Sequence, residues 1–537
     1  KYATYTVIVA FIMLVSRWIF RFSLQSAAHR ITKGIRKDMY DKAVELPISY
    51  FHENPVGNVM SWFTNDVFQI EDFLSWGTVM EIDAIFMSTF AIFRLFNCSW
   101  QLALIAIIPI SLIVIGGALV ETRMSKMWDY RQQVYDELYD YSRESFAGIR
   151  VIKAFVKENQ QLRSFSKVAK KNKDMNVRFV RTDTIFNCVI NIIINSISAI
   201  VIGFGGWFVI SCIQGSPVYL FGAYVDITAA KLVEFTGYFD ILSCPMIAMG
   251  QVVAMYSRSR TSLKRIQHFL NAPVDIKNPD NPIVLENVKG QIEFNDFTFF
   301  YPGNKKPSLS NISLTINPGE TIGIVGKIGC GKTTLVNALL HIYNVDKNTI
   351  KIDGVDVMDC DLTSLRNTIA YVPQDNFLYS DKVRNNIAFS NANASFEDIE
   401  AAAKFACVSE DIEGFSEKYD TISGERGVTL SGGQKQRSSI ARAFLKDAPI
   451  LVMDDSVSAV DTKTEEVILK NIKEQRKGKT TILIASRIST VSSLDKIIVL
   501  KDGKLEAFGS HEELMKTSPT YTAMAMLQEL EKEKGGM

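Results

Sequence analysis

The sequence predicts an α-helical transmembrane domain, its long helices extending into the cytoplasm, fused to an α/β domain. Three observations predict it. Apolar runs of about 20 residues, the length a helix needs to cross a bilayer, recur through the first half of the chain. Lys and Arg gather on alternate connections between those runs. Beyond residue 285, short β-branched strands alternate with amphipathic helices. With 537 residues the chain is too long for one core, and 47% hydrophobic against 22% charged residues suits an apolar part joined to a soluble one. The net charge of +1 points to no nucleic-acid partner.

The apolar runs fall at 4–22, 77–96, 100–120, 185–210 and 232–255, while the apolar stretch 218–228 is too short to cross. Arg30, Lys33, Arg36 and Lys37 follow the first run, Arg123, Lys126 and Arg131 the third, and Arg258, Arg260, Lys264 and Arg265 the last. The turns at 97–99 and 211–217 hold neither Lys nor Arg, so they are expected outside and the basic segments in the cytoplasm. Lys1 then lies outside, which leads to the expectation of a six-span domain whose first span precedes Lys1. The cytoplasmic connections are long and keep helical periodicity, as helices running well below the membrane would. Within the spans, Asn187, Asn191 and Asn195 share one helix stripe, and Asp240, Glu81 and Asp83 are further polar residues. Such residues line a polar passage or bond helix to helix. The domain is expected over 1–270, and a polar segment with three prolines makes 271–284 a linker to the domain at 285–537. The seven cysteines (98, 188, 212, 244, 330, 360, 407) form no CxxC pair or metal-ligand spacing, so isolated reduced thiols are expected.

In the second domain a buried-strand pattern at 322–325 leads into Gly326, Lys327, Ile328, Gly329, Cys330, Gly331, Lys332, Thr333 and Thr334, then an apolar helix. This is the spacing of a P-loop. Its glycines let successive N–H groups face phosphate oxygens, and the following helix points its positive end the same way. Lys332 would reach the β- and γ-phosphates, and the Thr333 hydroxyl would reach Mg²⁺. A second apolar strand, 450–453, ends in Asp454 and Asp455, where a carboxylate can complete the Mg²⁺ shell. Between the two motifs, Leu430 precedes Ser431, Gly432, Gly433 and Gln434 at a helix start, another anion-binding turn. One P-loop has no use for a second phosphate cradle in its own chain. A dimer has, because each chain's Ser-Gly-Gly turn can close on the nucleotide held by the other.

Taken in order, the P-loop, Gln374 after Val372-Pro373, the Leu430–Gln434 signature, the Asp454 strand and Ser458–Asp461 resemble those of ATP-binding-cassette (ABC) proteins. The likeness continues into the first half. Residues 46–57 and 64–67 look like the first coupling region of the exporter-type subfamily, residues 148–155 precede the second, and 423–427 are similar to the exporter-specific loop that meets them. The resemblance implies an α/β P-loop NTPase domain of ABC type, an exporter half in the plasma membrane, and ATP and Mg²⁺ as cofactors. It further implies that Tyr301 stacks on adenine, that Gln374 reaches Mg²⁺ and the reacting groups, and that Asp461 lies with the nucleotide.

Two positions depart from the family. Where active members carry Glu, this chain has Asp455, which loses one methylene of reach; where they carry His, it has Ser486, which offers no cationic donor. Both changes touch hydrolysis, yet the signature is intact. The expectation is a heterodimer, similar to bacterial heterodimeric multidrug exporters, in which this chain holds the impaired site and a partner with Glu and His holds the competent one. The cargo implied is a small amphiphile. A homodimeric lipid or peptide exporter, and a membrane-anchored ATP-binding regulator that does not pump, are the alternatives.

Overall fold

The structure, a computed structural model, describes residues 2–215, 218–221, 223–225 and 227–535. Lys1, and the side chains of 107–122, 125, 190, 194, 223, 243, 244, 246, 247, 426 and 531–535, lie outside the described residues. The chain forms two compact units, residues 1–40 with 59–270, and residues 41–58 with 271–537.

The first unit is helical. Helix α1 (Tyr2–Glu45) precedes the short α2 (Ile48–Glu53), which belongs to the second unit. Helical residues 56–77 contain two π-turns, Trp62–Asp66 and Phe73–Gly77, and lead into α3 (Thr78–Cys98). Ser99 alone makes the next turn: its extended backbone breaks the helix, and its hydroxyl accepts from the Leu102 N–H to cap α4 (Trp100–Ala147). After Gly148 come α5 (Ile149–Ala154), α6 (Glu158–Ile213), a small hairpin pairing Tyr219–Leu220 with Ala223–Tyr224, and α7 (Ala229–Leu270). Each of the five apolar runs lies within one of the long helices. By length and composition α1 and α6 carry stretches fit to cross a membrane, whereas α3 and α7 hold charged residues in theirs. At 48 and 56 residues, α4 and α6 measure about 70 and 85 Å at 1.5 Å per residue. A bilayer's hydrocarbon core takes about 30 Å of that, so more than half of each lies outside the hydrocarbon.

Side chains hold these helices together. Leu95, Leu102, Phe208, Phe235 and Phe239 build a buried core between α3, α4, α6 and α7. Arg94 of α3 pairs with Glu234 of α7 and donates to the Tyr238 hydroxyl at 3.2 Å. The buried Asp66 accepts from Ser262 Oγ at 2.9 Å and Arg265 Nε at 2.7 Å, both on α7. Glu71 faces α1, accepting from Thr32 Oγ1 at 3.0 Å and contacting His29 Nδ1 at 2.9 Å.

The second unit is built on two sheets. Strands β1 (Ile292–Phe299), β2 (Leu309–Ile316), β4 (Ile350–Ile352) and β5 (Val355–Asp356) form an antiparallel sheet in the order β2-β1-β4-β5. The larger sheet contains β3 (Thr321–Val325), β6 (Ile369–Val372), β7 (Ile450–Asp454), β8 (Thr480–Ile484), β9 (Lys496–Lys501) and β10 (Lys504–Gly509). Its order is β10-β9-β3-β8-β7-β6, parallel except at the β9/β10 edge. Strands β7 and β8 are buried throughout, as parallel strands covered on both faces must be. Helix α8 (Lys332–Leu339) follows β3. Helices α9 (Phe396–Phe405) and α10 (Gly432–Leu445) pack through the stacked rings of Phe405 and Phe444. Helices α11 (Thr462–Gln475) and α12 (Pro519–Gly535) complete the described layer. The segment before β1 is tied down by backbone bonds that Ile283 makes to Asp359 and Asp361, each 2.8 Å.

Candidate nucleotide site

Sheet register gathers the candidate residues. Ile484 lies level with Ile324 on one side and with Asp454 on the other, and Val372 lies level with Met453. The chain therefore leaves β3 at Gly326, β6 at Gln374, β7 at Asp455 and β8 at Ser486 along a single edge. This is the carboxyl edge of parallel strands, where α/β sheets bind ligands.

The P-loop occupies the centre of that edge. At Gly326 a Cβ would overlap the Leu500 carbonyl oxygen and Cys330 Sγ, and Gly331, at φ 100°, begins α8 where no side chain fits against Leu309. Both positions require glycine. Cys330 is buried, and burial raises its thiol above the ordinary range, so it is an inert packing residue. Ile328 stands fully exposed at the loop tip, close to Lys327 and Gly329 in sequence. Lys332 Nζ donates to the carbonyls of Gly326 (2.9 Å) and Lys327 (3.2 Å), which holds it over the loop. Tyr301 is half-buried against Phe299 and Tyr343, edge to face at 5.1 and 5.2 Å, and shares a hydrogen bond of 2.9 Å with Thr334.

Asp454 is 1% exposed, and among the described residues its Oδ2 has no hydrogen-bond partner. Burial raises its carboxyl above the usual range and Asp455 adds to that, while the Thr333 hydroxyl and Lys332 oppose it. A buried, orphaned carboxylate oxygen beside a hydroxyl is a donor set suited to a hard divalent cation such as Mg²⁺. Asp455 is held at φ 45° by its N–H to Ile484 O (3.0 Å) and by Gln436 Nε2 and Ser458 Oγ on its carbonyl (3.1 and 2.8 Å). Its Oδ1 accepts from Ser486 Oγ at 3.4 Å, so the two positions that depart from the family touch each other. Gln374 is exposed on the same edge.

The signature is a helix start. Ser431 and Gln434 form a capping box: Ser431 Oγ accepts from the Gln434 N–H at 3.3 Å, and Gln434 Oε1 from the Ser431 N–H at 3.0 Å. Ser431 and Gly432 are exposed, and among the described residues no hydrogen bond or ion pair links Ser431, Gly432, Gly433 or Gln434 to the P-loop. Asp461 caps α11, accepting from the N–H and the hydroxyl of Thr464 at 3.0 and 2.9 Å, and these bonds hold its carboxyl below the ordinary range. Sequence reasoning passed over the residues that brace the edge. Glu465 pairs with Arg487 at 2.8 Å, and Gln528 bonds the backbone around Ser486. A buried-stripe position filled by Glu or Gln was the available signal.

Family models for the ABC transporter transmembrane region and for the ABC transporter domain match residues 1–224 and 309–458. The multidrug resistance-like ATP-binding protein MdlA of Escherichia coli is 32% identical over 526 residues, 98% of this chain and 87% of its own. The ATP-dependent lipid A-core flippase of Pseudoalteromonas translucida is 30% identical over 534 residues, 98% of this chain and 89% of its own. A bacterial Atm1-family ABC exporter solved with ATP bound has the same fold, with a TM-score of 0.73 at 24% identity over 98% of this chain and 92% of that one. With an ATP-binding domain on the cytoplasmic side and a helical transmembrane domain in one polypeptide, the chain belongs to the exporter-type ABC transporters, membrane ATPases that couple nucleotide hydrolysis to translocation.

Proposed function

We propose that this chain is the hydrolysis-impaired half of a heterodimeric exporter of amphiphilic small molecules, drug-like compounds or lipids. Relatives named as multidrug and lipid A-core transporters support the cargo class. The cradle of residues 326–334 would take the phosphates of ATP, with Lys332 beside the terminal ones and Tyr301 against adenine. Thr333 and Asp454, with Gln374, would hold Mg²⁺, which would neutralise phosphate charge. The Ser431–Gln434 turn covers the nucleotide of the partner half. ATP capture would draw the two soluble domains together, and product release would let them part.

The observation that carries the impaired assignment is the Ser486 Oγ to Asp455 Oδ1 bond at 3.4 Å. The carboxylate that should orient water is short by one methylene and faces, across a long contact, a neutral hydroxyl where the resemblance implies a cationic ring. Water positioning tolerates little misplacement, and loss of one acid–base element costs about 10²–10⁴ in rate. The test is ATPase activity of the purified full chain, alone and with its partner. Near-background turnover alone and full turnover with the partner are expected. Robust turnover alone that falls on Asp455→Asn overturns the heterodimer.

A further inference from the structure

Helix α12 carries an apolar stripe broken at one position. Tyr521 is fully buried, and Met524 and Ala525 pack with it on Val325, Ala485 and Ile488. The next residue on that stripe, at the i, i+3, i+4, i+7 spacing of one helix face, is Gln528. A polar side chain there is unfavourable unless its hydrogen bonds are made, and they are. Gln528 Nε2 donates to the Ser486 carbonyl at 3.0 Å, and Gln528 Oε1 accepts from the Ile488 N–H at 2.7 Å. One amide thus brackets the two peptide groups around Arg487. From the other side Arg487 is held by Glu465 (2.8 Å) and by the Ser458 carbonyl (3.0 Å), and Thr490 bonds the other Glu465 oxygen. The backbone behind Ser486 is therefore bonded directly by α12, and the Arg487 side chain on it is held by α11.

We propose that Gln528 is a positioning residue for the γ-phosphate end of the nucleotide site, through the backbone that aims Ser486. This rests on the proposed function and adds one step to it: with ATP bound, the Ser486 hydroxyl would turn its single proton from Asp455 to the terminal phosphate. A residue that only stabilises the fold would affect ATP and ADP alike, whereas one that aims Ser486 affects ATP alone, since ADP has no γ-phosphate.

The experiment measures ATP and ADP affinity of the full chain in lipid nanodiscs with Mg²⁺. Gln528→Met keeps the length and restores an apolar stripe, so the fold is retained or strengthened while both bonds are lost. The expected result is a loss of about fivefold in ATP affinity, the scale of one net hydrogen bond, with ADP affinity and melting temperature unchanged. Gln528→Glu, which still accepts from Ile488 but repels the Ser486 carbonyl, is expected to lose ATP affinity at least as much. Equal losses for ATP and ADP, or no change for either, overturn the proposal. Ser486→Ala separates the two layers. If it leaves ATP preference intact, the γ-phosphate reading of Ser486 is wrong; if it lowers the preference and Gln528→Met does not, Gln528 alone is excluded.

Discussion

Asp455 and Ser486 are each a small change from the family pattern, and their contact makes them one unit. The backbone of Asp455 is overdetermined by three hydrogen bonds at φ 45°, so a substitution there changes reach without changing direction. Asp455→Glu alone extends the carboxylate but leaves no cation opposite; Ser486→His alone supplies the ring but leaves the carboxylate short. Residues acting as a unit are not additive. With the partner present, photolabelling can report vanadate-trapped ADP on this chain. Either single variant should raise it less than about tenfold, and the pair by about 10²-fold or more, within the range of one acid–base element. No rise in the pair would place the cause of slow turnover elsewhere. At Asp454 the expected effect is opposite in kind. Asp454→Ala removes the orphaned oxygen, and nucleotide affinity should lose its dependence on Mg²⁺ in a titration with and without chelator.

Between elements, what could be read from the sequence depended on how far apart the partners lie in the chain. The P-loop and the strand before it were legible because the whole device is local, and the α10 start because Ser431 and Gln434 are three residues apart. Arg94 and Glu234 are separated by 140 residues and Gln528 and Ser486 by 42; periodicity says which face of a helix is buried but not what covers it. Residues 64–67 hold a contact that the resemblance does not name: Asp66, the last residue of the π-turn Trp62–Asp66, is buried in a clamp on Ser262 and Arg265. Asp66→Ala should therefore destabilise the helical unit by about 2 kcal/mol, the range of hydrogen bonds to a charged group, reduced by the half-exposed Arg265. Thermal unfolding in nanodiscs measures it, with Asp66→Asn, which can still accept from Ser262, expected to lose less. An unchanged melting temperature would leave the clamp without a stabilising role.

At the scale of the molecule, one chain leaves three surfaces without a cover. On α1, Val7, Ile8, Phe11 and Leu14 are exposed, which suits lipid tails. On α6, among the described residues, Asn187 and Asn191 bond within their own helix and, like Asn195, are exposed; polar groups at that depth face protein or a wet passage rather than lipid. At α5 no residue is buried, and Phe146, Ile149, Val151 and Phe155 are open. The capped but exposed start of α10 adds a phosphate-seeking surface with no phosphate site in its own chain. In the proposed dimer a second half would cover the last three at once, and whether that half is a copy can be decided. Place Ser431→Cys in a background lacking the exposed Cys188, and measure crosslinking to the partner's P-loop with ATP or ADP. It should rise with ATP and not with ADP, because only the triphosphate closes both cradles. In the isolated chain, Ser431→Cys combined with Ile328→Cys at the exposed loop tip should give no ATP-dependent chain-to-chain product. A strong product there would mean that two copies clamp ATP between themselves, and the exporter would be a slow homodimer.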